Sequence, residues 1–299
     1  MYPKSIVFIV VLLIAVLTGS SQAQQGGSRG AVAGEVTGEA ASIPAEQSSV
    51  TEHTIVLDGE TIPYIATAAT MHLVNDGGEP TGSLYYTAYT RSGVDSGRRP
   101  IAFIYNGGPG SASVWLHMGA FGPKRVPVND SGPTAPPPYD LVDNLGSLID
   151  VTDMVFVDPI GTGFSRVVGV GQGSDFWGID EDASSLTQFI SQYITRNKRW
   201  NSPKFLMGES YGTTRSAVLV NMLQNRAGMD FNGVVLISAV LDFETLLFAP
   251  GHDTSYVTYL PSYAITAAYH GAVSWPDDLV AWLDEVRAFS VGDYAHVLA

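Results

Sequence analysis

The chain has 299 residues and a mass of 31.8 kDa; 45% of its residues are hydrophobic and 15% are charged. That composition supplies a sizeable core and excludes a chain disordered over most of its length. The net charge of −14 and pI near 4.6 argue against nucleic acid or an anionic membrane surface as a partner, and the absence of cysteine excludes disulfides, thiolate metal sites and cysteine nucleophiles.

Residues 1–23 read as a secretory signal peptide. Lys4 precedes an apolar run over 6–17, and Ser21-Gln22-Ala23 supplies the small residues for cleavage before Gln24. As a helix that run spans about 18 Å, short of the ~30 Å hydrocarbon core, so cleavage is expected rather than a stable membrane anchor. The expected location is secreted or periplasmic, and export without cysteine suits a bacterial protein. Residues 24–50, rich in Gln, Gly, Ala, Ser and Glu, read as a flexible linker.

From residue 51 the pattern is that of a folded core. The runs 54–57, 61–74 and 83–90 are β-rich and are separated by Asp58-Gly59 and Asn75-Asp76-Gly77-Gly78, so quick antiparallel returns are expected. The runs 101–105, 153–157, 204–207 and 233–238 are continuously apolar, as strands buried on both faces are. Helical spacing alternates with them at 180–193, where Ala183, Leu186, Phe189, Ile190 and Tyr193 share a face, and at 211–225. This alternation predicts an α/β fold with a largely parallel sheet. Arg196-Asn197-Lys198-Arg199 reads as a solvated helix end. The core is expected to end near residue 249. Residues 250–299 turn helical, with Leu279, Trp282, Leu283, Val286 and Phe289 on one face. Asn129-Asp130-Ser131 is a glycosylation sequon, without consequence in a bacterial source.

Two motifs could carry chemistry. Gly208-Glu209-Ser210-Tyr211-Gly212 is a GxSxG; Gly26-Gly27-Ser28-Arg29-Gly30 matches too, but lies in the linker. Only Ser210 stands between an apolar strand and an amphipathic helix, the context of a nucleophile elbow. Asn106-Gly107-Gly108-Pro109-Gly110 follows the run 101–105. Its glycines allow close backbone approach, and its N–H groups suit an oxyanion hole. His117 and Trp115, just after this loop, fit either a pocket wall or a packed helix.

The order NGGPG at 106–110, DPIGTGFS at 158–165 and GESYG at 208–212 resembles the serine carboxypeptidase family of α/β-hydrolases, over roughly residues 54–299. The resemblance implies an α/β-hydrolase core with a helical cap, and release of C-terminal residues from peptides, best at acid pH. It implies Ser210 as nucleophile and the N–H groups of Gly108 and Tyr211 as oxyanion hole. The Asn106 side chain, the Gly107 N–H and the Glu209 carboxyl would hold the terminal carboxylate of the peptide substrate. A carboxyl beside a carboxylate attracts it only through a shared proton, so binding is expected to fade as pH rises.

Three departures are visible. Ala120 stands where relatives often carry a second acid, and Ser111 where many have a disulfide cysteine. The triad is incomplete: His252, His270 and His296 are weak candidates for the base, as are Asp230, Asp242, Asp253 and the later aspartates for its partner. One sheet strand follows the elbow helix where two more are needed, so the sequence reads as an N-terminal fragment whose C-terminal strands, Asp and His lie beyond residue 299. An esterase or acyltransferase on the same scaffold, or a non-catalytic hydrolase-like binding domain, are the other readings. With no HExxH and no Walker loop, no metal, nucleotide or other cofactor is expected.

Overall fold

The computed structural model describes residues 43–128 and 136–299; the signal segment, most of the linker and the sequon lie outside them. The chain enters through three long strands, β1 (Ser48–Leu57), β2 (Glu60–Val74) and β3 (Pro80–Arg91), paired antiparallel in succession. Asp58 and Gly59 both hold positive φ, 49° and 83°, which makes the first return tight. β4 (Ile101–Tyr105) leads to a single turn, α1 (Val114–Leu116), and a two-stranded ribbon of β5 (Lys124–Arg125) and β6 (Val142–Asp143). β7 (Asp153–Val157) and the short β8 (Arg166–Val167) follow. Then α2 (Ile179–Arg196), β9 (Lys204–Glu209), α3 (Tyr211–Ala227) and β10 (Gly233–Ile237) alternate. The remainder is helical: α4 (Asp253–Tyr269), α5 (Leu279–Phe289) and α6 (Ala295–Leu298).

The main sheet runs β1-β2-β3-β7-β4-β9-β10, with β8 on β3. Pairing is antiparallel up to β3–β7 and parallel from β7 onward. Every residue of β4 and β7 is buried, because both strands are covered on both faces. Phe103, Tyr105, Val155, Val157 and Leu206 face Leu186, Phe189, Ile190, Leu219 and Leu223 of α2 and α3. Their neighbours in sequence, Ala102, Ile104, Met154, Phe156 and Met207, face the opposite core with Ile55, Ile62, Tyr64, Leu116 and Ile149. The period of two along each strand thus serves two cores. Acids at Asp180, Glu181 and Asp182 open α2 and Arg196 closes it, in line with the helix dipole. Gly228, at φ 60°, caps α3. No helix of the described residues is long and apolar enough to cross a membrane.

Three expectations need correction. The stretch read as linker is ordered at its end: Ser48 already pairs with Ala69, and Glu46 accepts from His72 N (2.8 Å) and binds Arg196 (2.8 Å). An exposed edge strand is held by backbone pairing, which needs no apolar side chains and so leaves no mark in composition. Arg199 is not solvated; it is 3% exposed and its Nη1 lies 2.7 Å from Asp153 Oδ2. β10 is not buried on both faces: Val234, Val235 and Leu236 are 39%, 42% and 48% exposed, since among the described residues β9 is its one strand partner.

Candidate active site

The site begins with a strand register. β4 and β9 are parallel neighbours with Tyr105 opposite Gly208. The residues that follow, Asn106-Gly107 from one strand and Glu209-Ser210 from the other, therefore emerge side by side at the carboxyl edge of the sheet. Motifs a hundred positions apart meet for that reason.

Ser210 has φ 57° and ψ −124°, a conformation that costs a residue with a side chain on the order of 1–3 kcal/mol. Its surroundings impose it. Ser210 N donates to Ile237 O of β10 at 3.0 Å, and Ser210 O accepts from Thr213 N at 2.9 Å. Thr213 Oγ1 donates to the same oxygen (2.7 Å) and accepts from Val240 N (3.0 Å). Glycine is obligatory on both sides of the contact. A Cβ at Gly208 would lie 2.1 Å from Gly212 O, and one at Gly107 would lie 2.4 Å from Tyr211 N and 2.6 Å from Glu209 O. The serine is thereby turned out of the sheet at the first turn of α3, where helix N–H groups have no partner within the helix.

The glycine loop supplies further donors. Gly108 holds φ 111°, open to glycine alone, and Ser111 N closes the loop onto Gly107 O at 3.1 Å. Among the described residues no protein group accepts from the N–H of Gly107 or Gly108.

Asn106 is 2% exposed and its amide is oriented by its partners. Its Oδ1 accepts from Leu116 N at 3.1 Å, which turns Nδ2 toward Glu209 Oε2 at 3.0 Å. One Nδ2 hydrogen remains for a ligand. Glu209 is buried, and no cation pairs with it among the described residues. Asn106, Gly107, Gly108, Glu209, Ser210 and Tyr211 all fall in this one place.

The loop 158–165 acts as a strut. Asp158 Oδ1 accepts from Ser113 N (2.9 Å), and a Cβ at Gly163 would fall 1.9 Å from Asp158 Oδ2. Ser165 Oγ donates to Asp158 O (2.6 Å) and accepts from Tyr85 N (2.7 Å), tying the loop to β3. Burial pushes the Asp158 carboxyl up, offset in part by N–H donors of Ser113 and Phe164. Its acceptors are occupied inside the protein, so it braces the glycine loop from behind.

His117 and Trp115 separate. Trp115 is 68% exposed beside the glycine loop. His117 turns into the core, stacked on Phe156 with its Nε2 2.6 Å from Tyr89 Oη. Asp242 caps a short helical turn by accepting from Glu244 N (2.9 Å). His252 and His270 flank α4 and His296 lies in α6; among the described residues no histidine hydrogen-bonds Ser210. Ala120 packs partly buried against the core that holds Ile55, Ile62, Tyr64 and Ile149.

Four residues that sequence reasoning missed, Arg215, Asp182, Tyr105 and Ser216, lie under the site. Arg215, 1% exposed, donates from Nε to Asp182 Oδ2 (2.7 Å) and from Nη1 to Asn106 O (2.8 Å). Its guanidinium lies between the rings of Tyr105 (5.3 Å) and Tyr211 (5.1 Å). Burial pushes the Asp182 carboxyl up while Arg215 pulls it down. Tyr105 Oη bonds Ser216 Oγ (2.8 Å), which donates to Gly212 O (2.7 Å). The signal was present: Arg215 stands four residues after Tyr211, on the same helix face, and Asp182 adjoins the apolar stripe of α2.

A strand–elbow–helix bearing a strained serine, beside a glycine loop on the neighbouring parallel strand, defines an α/β-hydrolase. The family model described as serine carboxypeptidase matches residues 67–259, more than half of the chain, and the chain belongs to that family. Serine carboxypeptidase-like 33 of Arabidopsis thaliana is 27% identical over 158 residues, which is 51% of this chain and 31% of that protein. Serine carboxypeptidase-like 51 of the same plant is 27% identical over 168 residues, 54% of this chain and 34% of that one. The matched stretch thus spans about a third of the length of these curated relatives. Among solved structures, the prohormone-processing carboxypeptidase Kex1(Δ)p of Saccharomyces cerevisiae overlaps with TM-score 0.45 at 17% identity, over 76% of this chain and 53% of that one. The rice cell wall degrading esterase LipA of Xanthomonas oryzae overlaps with TM-score 0.41 at 14% identity, over 82% and 69%.

Proposed function

We propose that the chain carries the nucleophile and the carboxylate-binding groups of a secreted or periplasmic serine carboxypeptidase. The observation that carries this reading is the buried Asn106–Glu209 pair, 3.0 Å apart and adjoining the strained Ser210. An acid at that point can share a proton with a peptide's terminal carboxylate. In this reading Asn106 Nδ2, the Gly107 N–H and Glu209 hold that carboxylate. Ser210 Oγ attacks the last peptide carbonyl, and the N–H groups of Gly108 and Tyr211 receive the oxyanion. Each such donor is worth about 10²–10³ in rate. The C–N bond breaks, the serine proton passes through a base to the leaving amine, and water hydrolyses the acyl-enzyme. We read residues 250–299 as the start of a cap.

The test compares an N-blocked dipeptide with its C-terminal amide. The acid is expected to be cleaved faster, with the preference shrinking as pH rises from acid to neutral. Equal rates on both, or a preference that ignores pH, would remove carboxylate recognition from the reading. Ala120 favours a second reading, an esterase or acyltransferase, because one acid then recognises the substrate where relatives often use two. In that case an ester without a free carboxylate is the better substrate.

A further inference from the structure

Arg215 is a costly residue to place where it is. A guanidinium 1% exposed gives up its hydration, and a buried ion pair is seldom more stabilising than apolar residues of the same volume. What the pair does geometrically is more specific. Nη1 donates to Asn106 O at 2.8 Å, while Nε is held by Asp182 Oδ2 at 2.7 Å and the flat group is clasped by the rings of Tyr105 and Tyr211. Asn106 O and the Gly107 N–H belong to one peptide unit. That peptide is trans, so its C=O and N–H point in opposite directions. Fixing the carbonyl on Arg215, inside the protein, aims the Gly107 N–H the other way, into the site. Gly107 brings no side chain to hold this plane.

We infer that Arg215, oriented by Asp182, is a positioning residue for carboxylate recognition: it sets the peptide plane whose N–H meets the terminal carboxylate. The inference rests on the function proposed above. Arg215 touches no substrate and acts through the Asn106–Gly107 peptide. It sits on the elbow helix, so it also makes the orientation of that donor depend on the seating of α3 and α2.

The experiment measures binding rather than turnover. In the full chain carrying Ser210→Ala, calorimetry compares an N-blocked dipeptide with its C-terminal amide. The acid is expected to bind more tightly. In the same background, Asp182→Leu with Arg215→Met removes the pair together and leaves no lone buried charge. The acid is expected to weaken about tenfold, the scale of one hydrogen bond to a charged group, and the amide to stay within twofold. Arg215→Lys, which keeps the charge but cannot fork between Asp182 and Asn106 O, is expected to lose part of the same preference and serves where the double variant does not fold. Equal binding of acid and amide before the pair is touched would overturn the carboxylate reading itself. An acid preference that survives both variants, or acid and amide weakened alike, would overturn the positioning role and leave the carboxylate reading standing.

Discussion

His117 is the residue whose ionisation the fold changes most plainly. Burial pushes the Tyr89 phenol up, so Tyr89 keeps its proton where it hydrogen-bonds His117 Nε2, 2.6 Å away. Burial also lowers His117 from its ordinary 6.5 to about 4. The unfolded chain therefore takes up a proton near pH 6.5 that the folded chain refuses until about pH 4. The folded pKa is depressed, so this contribution to stability is intact above the unfolded pKa and is lost as pH falls across that window. The full effect is on the order of 3 kcal/mol. His117→Gln keeps a hydrogen-bonding partner for Tyr89 and does not titrate. Its Tm is expected to fall less than that of the parent between neutral pH and about pH 4; parallel Tm–pH curves would show that the ring is not responsible. At this scale the sequence was half legible. Ser210 could be read from its glycines and flanking elements. Arg215 left only its four-residue spacing from Tyr211 as a signal, because a cation in an amphipathic helix looks solvated until the helix is docked.

At the scale of elements, one buried acid ties the lower end of the sheet together. Asp153, at the start of β7, is 1% exposed and accepts from Arg99 Nε (2.8 Å), Arg199 Nη1 (2.7 Å) and Arg91 N (3.0 Å). It joins β3, β7, the entry to β4 and the turn after α2. Asp153→Ala would leave two arginines without their partner, at a cost of about 3–5 kcal/mol. The urea midpoint should drop accordingly. Asp143→Asn, in the exposed pair with Lys124, should leave it in place; similar midpoints for the two variants would contradict the cluster's role. The central strands were legible because they are covered on both faces and need continuous apolar runs. The start of β1 and the exposure of β10 were not. A strand at an edge is defined by what lies beside it, which periodicity along one segment cannot report.

Among the described residues the main sheet ends in two free edges, β1 and β10, and the more continuously apolar of them is β10. β10 pairs with β9 on one side only among the described residues, and Val234, Val235 and Leu236 stand substantially exposed along it. An apolar free edge is a template for another strand. The 299-residue chain made alone is expected to self-associate in sedimentation runs, and Val235→Lys to shift it toward monomer. A parent that stays monomeric at every concentration would refute this. The same strand also accepts the hydrogen bond from Ser210 N through Ile237 O, so crowding at the margin reaches Ser210.

The pairing of Tyr105 with Gly208 has a consequence for how such a chain can change over time. Successive residues of a strand are about 3.3 Å apart. A single insertion or deletion within β4 or β9 would carry the glycine loop past the serine by that distance, more than the difference between a donor in contact and one out of reach. Length variation among functional descendants must therefore collect in the excursions between strands, where a whole loop can be exchanged without the ruler being moved.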